Sequence, residues 1–291
     1  ETECAKVAGK GMLHLVNWIS DKYVKRTGKT DPKEDLLRFA MQAKGLPFSL
    51  YRTHRSLSMQ GSYAAASDIG AHHAAAWLIK VDLLGAFPTL QDKARALITY
   101  PRVRLGNDNL GLCKLPWVDV FNPESEKMKK NTDMYINPAS QEIYADFYNG
   151  MLGTDMTWEK IFEQTDRDIN LQRVMNAMVF GEETGKNDWI PDRAIGPTDD
   201  DLYDAEKSYH DGEISAILGK SPEEIQKMQT GEKREMLMKH RKGQLQELVQ
   251  AYYRERGWNA KGIPKAETLK KIGLWQFLTA ETKEKFAELT S

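Results

Sequence analysis

The chain has 291 residues, of which 41% are hydrophobic and 29% charged, and its formal net charge is −1. That is enough for one large domain or two ordinary ones, and such balanced charge gives no electrostatic reason to expect nucleic acid or an anionic membrane as a partner. No run approaches the ~18 apolar residues of a membrane span, and the opening ETECAKVAGKG lacks the charged-then-apolar order of a signal peptide. Glu1 reads as the start of a piece of something longer. The two cysteines, Cys4 and Cys113, make no disulfide framework. Together with twelve Met they fit a reducing, cytoplasmic interior.

Helical signals recur along the chain. GMLHLVNWISDKYVKRTGK (11–29) and DPKEDLLRFAMQAKG (31–45) each predict a helix with a basic last turn that ends at Gly. YRTHR, Tyr51 to Arg55, offers cationic groups that would meet a carboxylate or phosphate, or face water. ASDIGAHHAAAW follows, with His72 and His73 in a run of small residues. Adjacent helical residues diverge by about 100°, so the pair does not chelate one ion from one face, and a single functional His is the better reading beside that of a plain core or surface His. In LGNDNLGLCKL (105–115), Asn107, Asp108, Asn109 and Gly111 favour a turn. Cys113 beyond it is a thiolate ligand or a small buried cysteine; the residues alone leave both open.

TWEKIFEQTDRDINLQRVMNAMVFGEE predicts a long helix closed by Gly181, with Ile161, Phe162, Ile169, Val174 and Met178 at helical spacing. Residues 196–239 are polar, and acidic in their first half. With a capping-box start at Ser221-Pro-Glu-Glu224 they read as a surface excursion rather than a second core. GQLQELVQAYYRERGW places Leu245, Leu248, Val249 and Tyr252 on one helical face before a stop at Gly257. Alternating patterns are rare and short, so the expected fold is mainly α and multi-helical, with little sheet. Walker, paired CxxC, GxSxG and dinucleotide patterns are absent from the sequence.

Several of these stretches, taken together and in order, resemble the tungsten-containing aldehyde:ferredoxin oxidoreductases. DNLGLC at Asp108–Cys113 resembles that family's D-x-x-G-L-C motif. AKGLPFSLY followed by YAAASDIGAHH resembles its K-G-x-E-x-P-x-Y and Y-A-T-S-x-R-G-x-C-H runs. QTDRDINLQRVMNAMVFGEETGKNDWIPDR and AYYRERGWNAKGIPKAETLKKIGL resemble two later blocks, so the likeness runs from about Lys44 to Leu274.

The resemblance implies the C-terminal helical domains of that fold, a tungsten (or molybdenum) bis-pterin and a [4Fe–4S] cluster. It implies that Asp108, Asn109, Leu110, Gly111 and Leu112 bind the cofactor, that Cys113 ligates the cluster, and that His73 transfers a proton near the metal. His72 falls where the family has Cys. It implies as partners an N-terminal cofactor-binding domain or chain, ferredoxin or an electron-transfer subunit, and a small aldehyde or acid substrate, with a homodimer as a compatible assembly. The family's C-x-x-C-x-x-x-C and first pterin motif are not in this sequence.

Other positions depart from the pattern. Arg52, Thr53 and His54 stand where the family has D-P-R, Pro47 where it has Glu, and Ile69 where it has Arg. These departures keep open a same-family reductase acting on an aromatic acyl-CoA or a carboxylic acid, and a non-catalytic helical interaction domain. The expected organisation is a cofactor-facing helical region over 1–195 carrying the D-x-x-G-L-C motif, a polar insertion over 196–239, and a C-terminal helical segment over 240–291 packed on the first. A piece that covers a cofactor should also expose an apolar patch, expected around 64–77 and 110–117.

Overall fold

The structure is a computed structural model that describes residues 2–47, 53–67, 82–83, 85, 87–111 and 138–290. His72, His73, Leu112 and Cys113 lie outside the described residues. The helices in chain order are α1 (Glu3–Val7), α2 (Met12–Thr27), α3 (Lys33–Phe39), α4 (Leu57–Gly61), α5 (Leu90–Asn109), α6 (Pro138–Leu152) and α7 (Trp158–Phe180). They continue as α8 (Asp192–Ile195), α9 (Asp200–Asp204), α10 (Lys207–Leu218), α11 (Pro222–Gln226), α12 (Thr230–Arg256), α13 (Ala266–Lys271) and α14 (Ala280–Thr290). The sheet among the described residues is a single antiparallel hairpin, β1 (Gln42–Ala43) with β2 (Leu46–Pro47). The fold is mainly α, as the periodicity predicts.

Local signals explain several boundaries. α2 ends where Gly28 adopts φ +65° and its N–H bonds the Val24 carbonyl, with Lys25 and Arg26 in the last turn. α7 starts at the Thr157 cap and stops at Gly181, and α11 carries the Ser221–Glu224 capping box. The helix expected over 31–45 is shorter than its pattern. α3 ends at Phe39, and Lys44-Gly45 forms a hairpin turn with φ of +54° and +83°. Two consecutive positive φ values suit a tight two-residue hairpin. Lys44 is held in that unfavourable conformation by tertiary contacts: its ammonium bonds the Ala64 carbonyl at 2.5 Å and pairs with Asp188 at 3.2 Å.

The main core lies where α12 crosses α5 and α4. Leu245, Leu248 and Tyr252 of α12 meet Leu97 of α5 and Met59 and Tyr63 of the α4 region, all fully buried. Gly61 permits this crossing, since a Cβ there would sit 2.7 Å from Leu248 Cδ2 and 2.8 Å from Leu97 Cδ1. A second cluster joins Val174 and Ala177 of α7 to Leu269, Leu274 and Phe286.

Residues 196–239 differ from the expected excursion. Tyr203, Ile214, Ile225 and Leu237 form a small cluster in which each is fully buried. A few apolar residues at helical spacing suffice for this, although the average composition is polar. α12 also runs unbroken from Thr230 to Arg256, across the expected boundary at 239/240.

Buried ions reinforce the packing. Asp188 accepts from Arg173 through both carboxylate oxygens and from the Tyr253 hydroxyl, and it lies beside Lys44. Arg173 also donates to the Gly262 carbonyl at 2.6 Å and stacks over Trp258. Burial next to Asp188 pushes the Tyr253 phenol well above its ordinary value, so it remains a donor.

Candidate functional site

α5 is opened by a capping box, in which Thr89 and Asp92 satisfy each other's backbone N–H groups. At its far end the structure corrects the sequence reading: Asn107, Asp108 and Asn109 belong to the last helical turn. The chain turns only afterwards, at Leu110 and at Gly111, whose φ is +69°. Packing overrides the turn preference of three consecutive polar residues. The Asn109 amide donates to Asp168 of α7 at 2.7 Å, and Leu110 packs against Ala145 and Ile161. Asp108 and Gly111 are exposed. Of the candidate cofactor-binding residues that are described, Asn109 and Leu110 therefore have internal contacts, and Asp108 offers its carboxylate to the surface.

One face of the same turn is buried and polar. Arg104 is 7% exposed, and burial pushes its guanidinium down to about 10, while Asp108 and Tyr63 act in the opposite sense. Asn107 is 0% exposed, and neither its amide nitrogen nor its amide oxygen has a hydrogen-bond partner among the described residues. Helical spacing puts Arg104, Asn107 and Asp108 on neighbouring positions of one side of α5.

Tyr63 stands on a π-helical turn, Ser62–Ala66, that continues α4. Such turns interrupt the regular helical ladder and recur at functional sites. The Lys44 ammonium bonds the Ala64 carbonyl and approaches the Ser67 carbonyl at 3.5 Å. The described residues before His72 and His73 thus end at a lysine-clamped turn, and those before Leu112 and Cys113 end just after α5. The expected apolar patch does not lie in the described part of this region: Ala64 and Ala65 are fully buried, and Leu110 is packed. Exposed apolar side chains occur instead on α6 and α7, at Phe147, Met151, Met175 and Val179.

Around 53–55 the basic side chains meet a carboxylate of this same chain. His54 Nε2 lies 2.7 Å from Glu206 Oε2, and Arg55 pairs with its other oxygen at 3.1 Å. The Thr53 hydroxyl donates to the Ala194 carbonyl at 2.7 Å. Behind them His210, 2% exposed, lies among Tyr203, Tyr209 and His54, with Arg241 donating toward its Nδ1 at 3.3 Å. Burial, then the Arg241 charge, pushes His210 down to about 4, so it is neutral near pH 7.

Sequence reading took Asn107 for a turn residue and singled out neither Arg104 nor the long-range contacts of Lys44. The i, i+3, i+4 spacing of Arg104, Asn107 and Asp108 was a usable signal, hidden by the turn-forming character of Asn-Asp-Asn. Lys44 entered the sequence reading only as part of the K-G resemblance; its contacts, 20 or more residues away, left no local trace.

The described part is a multi-helical scaffold in which an exposed carboxylate and a buried amide without a partner among the described residues are consecutive at a helix end. The family model described as aldehyde ferredoxin oxidoreductase, domains 2 & 3, matches residues 9–274, and the chain belongs to that family. The domains that this family model describes are those of an oxidoreductase whose architecture includes others. A comparison with curated proteins gives no match. No described helix is long and apolar enough to cross a membrane.

Proposed function

We propose that this chain is the helical, C-terminal portion of a tungsten or molybdenum bis-pterin, [4Fe–4S] enzyme that oxidises aldehydes to carboxylates and passes electrons to a ferredoxin-type acceptor. The observation that carries the reading is the end of α5: Asp108 is exposed at the head of D-x-x-G-L-C, beside the fully buried Asn107 amide that lacks a partner among the described residues. These residues fit a fused polar heterocycle, because a carboxylate accepts ring N–H groups and an amide offers one donor edge and one acceptor.

When bound, the metal–pterin centre would supply the two-electron oxidation, and the cluster the exit for single electrons. Asp108 would accept N–H donors from the pterin and fix its orientation. Cys113, five residues on, would provide a thiolate to the cluster, so one short stretch of backbone addresses both groups. His73 would give or take a proton at the substrate oxygen, since an imidazole is the side chain whose unperturbed titration falls closest to neutral pH. Such general acid–base help is typically worth ~10²–10⁴-fold. The N-terminal cofactor-binding part, as domain or separate chain, would cover the opposite side.

A reductase of the same family acting on an aromatic acyl-CoA or a carboxylic acid is the second reading. It is favoured by the positions that replace D-P-R, since Thr53 and His54 are engaged with Ala194 and Glu206 inside the chain. Anoxic assays of the assembled enzyme with aldehydes and with acyl-CoA thioesters separate the two. Tungsten, molybdenum, iron and pterin should be quantified in the same preparations. Cys113→Ser should lower iron. His73→Asn should retain cofactor and cut turnover by roughly 10²-fold or more, with a much smaller loss for His72→Asn. An assembled protein without pterin or iron would support the non-catalytic interaction domain instead.

A further inference from the structure

We infer that Asn107 is a cofactor-binding residue additional to the D-x-x-G-L-C motif, its side-chain amide pairing with an N–H/C=O edge of a fused heterocycle. This rests on the proposed pterin chemistry of the site. Asn107 is fully buried, and its Nδ2 and Oδ1 are both without partners among the described residues. Leaving one buried polar group unmet is strongly unfavourable, whereas an apolar residue of similar size at the same place incurs no such penalty. An internal helical position next to Leu105 and Gly106 therefore has no packing reason to hold Asn. With no partner among the described residues, a bound heterocycle is the partner we assign to it.

The surroundings select the chemistry of that partner. Asp108, the next residue, is an exposed acceptor, and Arg104, one turn earlier, is a buried cation. A ligand meeting this face must present donors to a carboxylate and, nearby, both a donor and an acceptor to an amide. A lactam fused to an aminopyrimidine has that pattern; an alkyl chain or a simple anion does not. Successive residues on α5 diverge by about 100°, so Asp108 and Asn107 address different edges of one planar group rather than the same atoms.

The test uses the assembled enzyme and reads pterin content per folded protein, released and measured by fluorescence, together with the melting temperature of the cofactor-depleted form. Asn107→Leu should leave that melting temperature unchanged or raise it, while pterin is lost roughly tenfold faster on dilution, the size expected for one or two hydrogen bonds. Asn107→Ala, which leaves space rather than bulk, should lose pterin similarly and guards against a packing failure of Leu. A lowered melting temperature for Asn107→Leu with undiminished pterin in both variants would show the amide to be satisfied internally or by water, and would overturn the inference. Should Asp108→Asn release pterin while both Asn107 variants hold it, the proposed function survives and the role of Asn107 falls. Wild-type enzyme free of pterin would overturn both.

Discussion

Around Asp188, charged groups bury one another: Arg173, Lys44 and Tyr253 converge on one carboxylate, and Trp258 covers the guanidinium. At the end of α5, Asn107 is equally buried with nothing among the described residues to meet its amide. The two regions are joined, since Lys44 links Asp188 to the π-helical turn that carries Tyr63. A polar cluster that is complete within the chain serves the fold. One that is incomplete among the described residues costs stability, and on the proposed reading a ligand completes it. The first region should therefore respond to mutation through stability, and the second through what the protein retains.

The largest effect should come from breaking the complete network. Asp188→Ala leaves Arg173 and Lys44 without their carboxylate, and removing one partner of a buried pair typically costs ~3–5 kcal/mol. Urea unfolding should show this as a lower midpoint. A loss under ~1 kcal/mol would mean that the cluster behaves like a surface pair and that the two regions do not differ in this way.

Overpacking the crossing of α4, α5 and α12 should come next. Gly61→Ala places a Cβ within 2.8 Å of both Leu97 and Leu248, and such insertions cost ~1–3 kcal/mol. Truncating Leu97 as well should return part of that loss in a double-mutant cycle. Strict additivity would show that the helices separate rather than clash.

The buried imidazoles extend the comparison to pH. His210 has a folded-state pKa of about 4, below its unfolded value near ~6.5. Between those values the unfolded chain binds more protons, so stability falls with acidification from ~6.5 toward 4 and the contribution is complete above that window. His54 is shifted down as well, burial outweighing the pull of Glu206, and it acts in the same sense. Acidic groups shift over part of this range too, so the decisive quantity is the difference from His210→Gln. That variant should show a flatter melting-temperature profile between pH 6.5 and 4; parallel profiles would remove His210 from the acid sensitivity.

The smallest effect should appear on the exposed apolar side chains of α7. Met175 and Val179 are 60% and 75% exposed, and Met175→Gln with Val179→Thr should alter the stability of this chain by no more than ~0.5 kcal/mol. A larger loss would place these side chains in contacts that the present chain makes internally.

The sequence by itself determined the mainly helical character, the ends of α2, α7 and α12 at Gly28, Gly181 and Gly257, and the capping box at Ser221. Those features depend on spacing and backbone freedom within a few residues, which any short window contains. It also pointed to the D-x-x-G-L-C stretch, because a motif keeps its residue types wherever it is folded. The tertiary structure alone decided that 196–239 buries a cluster of its own, that Lys44-Gly45 turns a hairpin instead of ending a helix, and that Asn107 is buried while its neighbour Asp108 is exposed. Each of those outcomes depends on atoms brought together from distant parts of the chain. Lys44 is held by Ala64 and Asp188, and Asn109 is drawn into α5 by Asp168. Local preference is worth a few tenths of a kcal/mol to about one per residue, and tertiary contacts of this kind outweigh it.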